Sequence, residues 1–192
     1  VKGVHLLCED QFGVDLEDIH LHLRAGEVVG IAGVSGNGQK ELLRALSGED
    51  IRAPKGSILM GAVDVTVLHP GARRGLGLHF VPEERLGRGA VPTLSLAHNL
   101  LLTRNEAIRW PRFAGGWIRF RQLEAHAGRL IAQFKVKAYG PLAPARSLSG
   151  GNLQKFIVGR EIDANPKLLI VSQPTWGVDV GAAAQIRGAV LA

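Results

Sequence analysis

With 192 residues, 46% of them hydrophobic and 21% charged, the sequence describes a soluble globular protein with one sizeable core, a single domain with at most a subdomain. Its longest apolar runs, residues 28–34 and 168–171, are too short to span a membrane, and no basic stretch followed by an apolar one opens the chain, so any membrane association is expected through partners. A net charge of +6 would suit nucleic acid, yet the basic residues are dispersed, with only Arg73 and Arg74 adjacent, and 5% aromatics make no stacking platform, so no nucleic-acid partner is expected. The single cysteine, Cys8, excludes an internal disulfide and suits a reducing cytoplasm.

In chain order, residues 1–8 and 19–23 space their apolar side chains as half-buried strands, with Ala25-Gly26-Glu27 as a turn, which predicts an antiparallel β layer. His20 and His22 share one strand face without a third ligand nearby, which favours a surface pair over a metal site. Residues 28–33 make a continuous apolar run of the kind buried on both faces, followed by a glycine-rich loop and a helical pattern over 41–46 that closes at Gly48. Strand, glycine loop and helix in that order form a phosphate-binding turn. Beyond Ala53-Pro54-Lys55-Gly56 come short strands near 57–59 and 63–65, then another at 78–81. Residues 82–116, rich in glycine and proline and carrying Arg85, Arg88, Arg104, Arg109 and Arg112, predict loops around one short helix near 96–102. Apolar positions at Ile118, Leu123, Leu130, Ile131 and Phe134 predict an amphipathic helix over 117–136. Pro141 and Pro144 open a loop, after which Ser149 is placed to cap a helix from 150 to 162, stopped by Asn165-Pro166. A second buried strand is expected at 168–171 and a last helix from 182.

The loop Gly33-Val34-Ser35-Gly36-Asn37-Gly38-Gln39-Lys40, followed by Glu41, keeps the spacing Gly-x-x-x-x-Gly-Lys-Ser/Thr. In that pattern backbone N–H groups wrap phosphates, the lysine neutralises them and the hydroxyl holds Mg²⁺. Here Gln39 stands at the lysine position and Lys40 at the hydroxyl position. Backbone donors and the helix N-terminus remain, so nucleotide binding stays open. Lys40 lies about 100° further round the helix and does not replace the missing lysine, so phosphate affinity is expected to fall. By itself such a loop reads equally as a plain turn; its place ahead of Glu41-Leu42-Leu43 favours the phosphate site.

Two later segments carry the rest of the chemistry: Ser147-Leu148-Ser149-Gly150-Gly151-Asn152-Leu153-Gln154-Lys155, and Leu168-Leu169-Ile170-Val171-Ser172-Gln173-Pro174-Thr175 with Trp176-Gly177-Val178-Asp179 after it. Ser149, Gly150 and Gly151 open a helix, so a hydroxyl and N–H groups form a second anion site without any lysine. These motifs resemble the ATP-binding domains of ABC transporters, whose signature reads Leu-Ser-Gly-Gly-Gln or a close variant and whose Walker B strand ends in Asp-Glu-Pro-Thr. The sequence is most similar to the second, degenerate ATP-binding half of tandem sugar or nucleoside import ATPases, over nearly the whole chain.

The resemblance implies an α/β fold, a P-loop NTPase (RecA-like) core with an antiparallel β layer and an inserted α-helical signature subdomain. Residues 1–84 and 161–192 would form the core and residues 85–160 the subdomain. It implies that Leu148, Ser149, Gly150 and Gly151 close over ATP held by an opposite domain, with Lys155 and Arg160 on the same helix. Glu83 and Glu84, in Phe80-Val81-Pro82-Glu83-Glu84-Arg85, fall in the Q-loop region, which here lacks its glutamine, and Asp179 matches the D-loop aspartate. Phe12 would correspond to an adenine-stacking aromatic, although a buried hydrophobic side chain is the preferred expectation.

Ser172 and Gln173 occupy the Walker B carboxylate positions. Ser172 offers a metal no charge, and Gln173 can position a water but accepts no proton at neutral pH. Together with Gln39 these losses leave no intact catalytic residue and argue against hydrolysis at the domain's own site. Gly33, Ser35, Gly36, Asn37, Gly38, Gln39, Lys40 and Glu41 remain as nucleotide-binding positions for ATP, with Mg²⁺ expected only at the composite site with the partner domain. The implied partners are an N-terminal nucleotide-binding half, transmembrane permease subunits and, indirectly, a solute-binding protein. The implied place is cytoplasmic, peripheral to the inner face of the cell membrane. No histidine follows His126 to serve as the family's switch histidine, and the chain breaks off within the helix after Asp179, so a fragment missing the last core elements is expected. Two alternatives stay open: a non-transport ABC ATPase, which should keep its Walker residues, and a regulatory pseudo-ATPase interaction module that binds no nucleotide.

Overall fold

A computed structural model describes residues 1–9, 11–108 and 118–191. They fall into two units, Val1–His79 and Phe80–Ala192.

In the first unit, β1 (Val4–Leu6) pairs antiparallel with β2 (Leu16–Ile19), Val4 opposite Ile19 and Leu6 opposite Leu16. The register shifts between these pairs where Asp18 adopts φ +51°, the geometry of a bulge. The strand expected at 19–23 therefore lies earlier, because Leu16 is buried while Leu23 is exposed. α1 (Gln39–Ser47) follows the glycine loop and buries Leu42, Ala45 and Leu46 on one face. It ends at Gly48, whose φ of +86° and close approach to the Leu68 carbonyl both demand glycine.

The carbonyls at that end would be buried without partners. Arg73 of α2 (Pro70–Gly75) supplies two of them: its fully buried guanidinium donates to Ala45 O and Leu46 O at 2.7 Å, and it also donates to Thr66 O at 2.9 Å and Leu68 O at 2.8 Å. Burial lowers its pKa, and carbonyl dipoles take the place of a carboxylate. A short hairpin of β3 (Leu59–Met60) and β4 (Val63–Asp64) lies between these helices in sequence, near the positions expected for both strands.

Two expectations fail in this unit. Residues 28–33 are not a buried strand: they have no assigned strand structure, and Val28, Val29 and Ile31 are 68%, 39% and 52% exposed. A strand is held by its ladder and by side chains packed on its faces, and no described strand of this unit pairs with the run. Phe12, expected to be buried, is 89% exposed.

In the second unit, the end of β5 (Leu78–Val81) pairs with β6 (Leu168–Val171), and Ser172 N–H donates to Val81 O at 2.9 Å. The core joins α3 (Leu96–Ile108), α4 (Phe120–Gln133), α5 (Gly150–Asp163) and α6 (Val180–Leu191) through Leu96, Leu100, Leu123, Leu130, Phe156 and Ile186. α4 places Leu123, Ala127 and Leu130 one above the other, as the apolar period requires, but starts at Phe120 rather than 117. α3 runs past the expected end at 102, while Arg109, Arg112 and Trp117 lie outside the described residues. β6 is half-buried along its length rather than fully buried. Among the described residues no helix is long and apolar enough to cross a membrane.

Candidate functional site

The glycine-rich loop wraps onto the N-terminus of α1 through Gly36 and Gly38, at φ +90° and +87°. Only glycine takes these left-handed angles at no cost, and they turn successive N–H groups toward one concavity. Gly38 itself caps α1 through its carbonyl, which accepts from Leu42 N–H at 2.9 Å. Ser35, Gly36, Asn37 and Lys40 are exposed, and Glu41 is partly buried in the helix's first turn.

Gln39 does more than fail to be lysine. Its side chain folds back into the loop, donating from Nε2 to Val34 O at 3.0 Å and accepting at Oε1 from Asn37 N–H at 3.1 Å. A Cβ on Gly33 would lie 2.4 Å from that Nε2, so glycine at 33 makes room for the amide. The amide thus engages one of the loop's own backbone donors.

In the second unit, Ser149 stands at the N-cap position of α5, and its carbonyl accepts from Leu153 N–H at 2.9 Å. The expected side-chain cap is not made: the hydroxyl accepts from Asn152 Nδ2 at 2.9 Å and from no backbone N–H of the first turn. The asparagine three residues on reaches back to the hydroxyl, and the helix's first N–H groups are left without a side-chain cap. Leu148 is half-buried, Ser149 exposed and Gly151 buried.

Asp179 caps α6, accepting from Ala182 N–H at 2.8 Å. Its other carboxylate oxygen lies against Gly151, where an added Cβ would come within 3.1 Å. The structure therefore brings Asp179 to the signature residues. Ser172 is buried at the end of β6, whereas Gln173 is exposed at φ +41°, an unfavourable angle for a side-chain-bearing residue, and its carbonyl accepts from Trp176 N–H at 3.1 Å. Glu83 and Glu84 are exposed, and Glu84 pairs with Arg88 at 2.9 Å.

Several residues of this region carry more structure than their sequence signals suggest. Arg160, 3% exposed, donates to Gly89 O at 2.9 Å and Asn99 O at 3.2 Å and pairs with the fully buried Glu161. Lys155 donates to Lys135 O at 2.6 Å, and burial lowers its pKa. Arg85 bonds Gln154 and the carbonyl of Trp176. Arg85 closes the segment Phe80-Val81-Pro82-Glu83-Glu84-Arg85 already singled out in the sequence, but its partners are not legible there; only the polar Gln154, placed on a helix face that proves to be 1% exposed, hints that something must meet it.

A phosphate-wrapping loop before one helix, a second uncapped helix N-terminus and a mixed α/β content define a P-loop NTPase cassette. The comparison with solved structures agrees at the level of fold. A dimeric ATP-binding cassette in a post-hydrolysis state with ADP and Pi superposes with a TM-score of 0.78 over 98% of this chain and 79% of its own, at 20% identity. A nucleotide-free cassette from an ABC transporter gives 0.76 over 99% and 74%, at 22% identity.

The ABC transporter family profile matches residues 16–176, and the chain belongs to that family. Among its relatives, the nucleoside import ATP-binding protein NupA of Lactococcus lactis is 40% identical over 91% of this chain and 34% of its own length. The glucose import ATP-binding protein TsgD13 of Haloferax volcanii is 43% identical over 100% of this chain and 35% of its own. The chain thus spans about a third of the length of the curated relatives it matches.

Proposed function

We propose that this chain is the second, degenerate nucleotide-binding domain of a tandem import ATPase, and that its main task is to lend its signature to ATP held by the other half. The observation that carries this is the contrast within one chain: an intact Ser149-Gly150-Gly151 at the head of a 14-residue helix, with Gln39, Ser172 and Gln173 at the positions of the lysine and both carboxylates. The printed names of its relatives, importers of nucleosides and glucose, support a sugar or nucleoside as cargo. On this reading residues 85–160 form the signature subdomain and residues 1–84 with 161–192 the core. The partners are an N-terminal nucleotide-binding half, permease subunits that hold the ATPase at the inner face of the membrane and, through them, a solute-binding protein.

Residues 148–151 present backbone N–H groups to the γ-phosphate across the domain interface, where preorganised donors stabilise developing charge without reorganisation. Asp179, packed on Gly151, reaches the same interface. Mg²⁺ and the attacking water belong to the partner's Walker residues at that composite site. At this domain's own loop ATP binds weakly, because the neutral Gln39 replaces a cation and its amide must leave the loop first. Ser149→Phe in the paired domains is expected to abolish most ATP turnover; undiminished turnover would sink the proposal. Those same Gln39 contacts favour a second reading, a pseudo-ATPase half that never binds nucleotide, and binding of a fluorescent ATP analogue to this domain decides between the two.

A further inference from the structure

Arg85 occupies a slot between three pieces of the second unit. Its Nε donates to Gln154 Oε1 of α5 at 3.2 Å, and its Nη2 donates to the carbonyl of Trp176. Two glycines wall the slot: a Cβ on Gly150 would lie 2.8 Å from Nη1, and one on Gly177 3.4 Å from Nη2. The arginine's own backbone is fixed as well, because Ala90 N–H donates to Arg85 O at 2.7 Å. A Cβ on Gly89 would come within 2.9 Å of both that oxygen and Ile157 of α5.

The acceptors are an amide and a peptide carbonyl, so the bonds fix geometry without neutralising the charge. A cation beside the first turn of a helix opposes the helix dipole. Structural economy alone would have placed a neutral donor there. What the guanidinium adds is a rigid planar fork that holds two acceptors in fixed directions, whereas the donors of an ammonium rotate freely about a point charge.

We propose, resting on the function given above, that Arg85 is a positioning residue for the composite ATP site. It locks the head of α5, with Ser149 to Gly151, to the turn running from Trp176 into Asp179, so that both reach the partner's ATP as one body. It also follows Glu83 and Glu84 directly, so movement of that segment is passed through one side chain to both halves of the interface.

The test is steady-state ATP hydrolysis by the complete two-domain ATPase carrying Arg85→Ala, Arg85→Lys, Gln154→Leu or Arg85→Ala with Gln154→Leu. Arg85→Ala is expected to lower kcat roughly tenfold while KM for ATP, set by the partner's own Walker residues, moves by less than about twofold. Arg85→Lys, which keeps the charge and loses the fork, falls nearly as far. Gln154→Leu, which keeps volume and loses one acceptor, costs a few-fold in kcat, and the double variant is no worse than Arg85→Ala alone. A wild-type kcat for either arginine variant overturns the proposal, as does a loss confined to KM or a strictly additive double variant. Should Arg85→Ala fail to fold, Gln154→Leu alone decides, by the same kcat loss at constant KM. Ser149→Phe, run alongside, separates the two levels. If it abolishes turnover and the Arg85 variants do not, only the positioning role falls; if it leaves turnover intact, the composite site itself is wrong and both fall.

Discussion

Gln39 shows how one substitution acts through geometry as well as charge. Glutamine where the P-loop pattern has lysine carries no cation, which predicts weaker phosphate binding, and the amide also bonds Val34 O and Asn37 N–H, so on the proposed function it would compete with the ligand. Each such bond is worth about 0.5–1.5 kcal/mol net, toward the low end at an exposed site. Truncation should therefore help rather than hurt: Gln39→Ala is expected to tighten binding of a fluorescent ATP analogue about two- to fivefold, because 1.4 kcal/mol corresponds to tenfold. Gln39→Lys, which both vacates the loop and restores the charge, should tighten it further, and should do so more in the presence of Mg²⁺. Weaker binding by Gln39→Ala would show that the amide contacts the nucleotide instead of blocking it.

Another local pair sets part of the acid stability. The Arg52 guanidinium, hydrogen-bonded to Asp50 at 2.6 and 3.0 Å, holds that carboxyl below its ordinary range against the opposing effect of burial. A folded pKa below the unfolded one contributes stability that is fully present above the unfolded value of about 3.9 and is lost as pH falls through the depressed value. Asp50→Asn should accordingly lower stability at neutral pH and flatten the acid limb of a urea-midpoint profile below about pH 4. An unchanged acid limb would assign that limb to other carboxylates.

At the level of elements, Gly159 in the middle of α5 is a position where two effects oppose. Alanine in a helix interior is ordinarily worth about 1 kcal/mol over glycine. Here an added Cβ would sit 2.5 Å from the Phe134 ring, closer than any real contact, so the ring that closes the end of α4 would have to move. Overpacking of this kind costs about 1–3 kcal/mol, so Gly159→Ala is expected to lower the melting temperature rather than raise it. Phe134→Leu in the same chain should recover part of the loss by thermal denaturation. Of the elements that the sequence located well, α1 and α4 carry their buried apolar residues on one face, and α1 and α5 end at glycine or just before Asn-Pro. The run at 28–33 shows the opposite case. Its composition suits a buried strand, but composition specifies no partner strand, and without a ladder in its unit the same residues stand exposed.

For the whole molecule, the glycine loop ahead of α1 was legible because its spacing is local and its left-handed turns fall on glycines. Ser149 at the head of α5 was legible for the same reason, and Asp179 stands in a short contiguous motif just before α6. That Asp179 packs on Gly151 was not, since 28 positions of chain separate them and only the docking of α6 on α5 brings them together. The fate of Ser149 was half visible: its N-cap position follows from the sequence, while the diversion of its hydroxyl to Asn152 depends on rotamers that no spacing rule fixes.

The sequence by itself determined the family, the glycine loop ahead of α1, the place of Ser149 at the head of α5 and the identities of Gln39, Ser172 and Gln173, because these reside in residue identity at fixed short spacing. Only the tertiary structure decided that the Gln39 amide folds back into the glycine loop, that Arg73 supplies the end of α1 with two hydrogen bonds and the Thr66 and Leu68 carbonyls with one each, and that Arg85 ties Gln154 to Trp176. Each of those is a side chain reaching a carbonyl or amide, and where such a group finds its partner depends on how the backbone is folded around it.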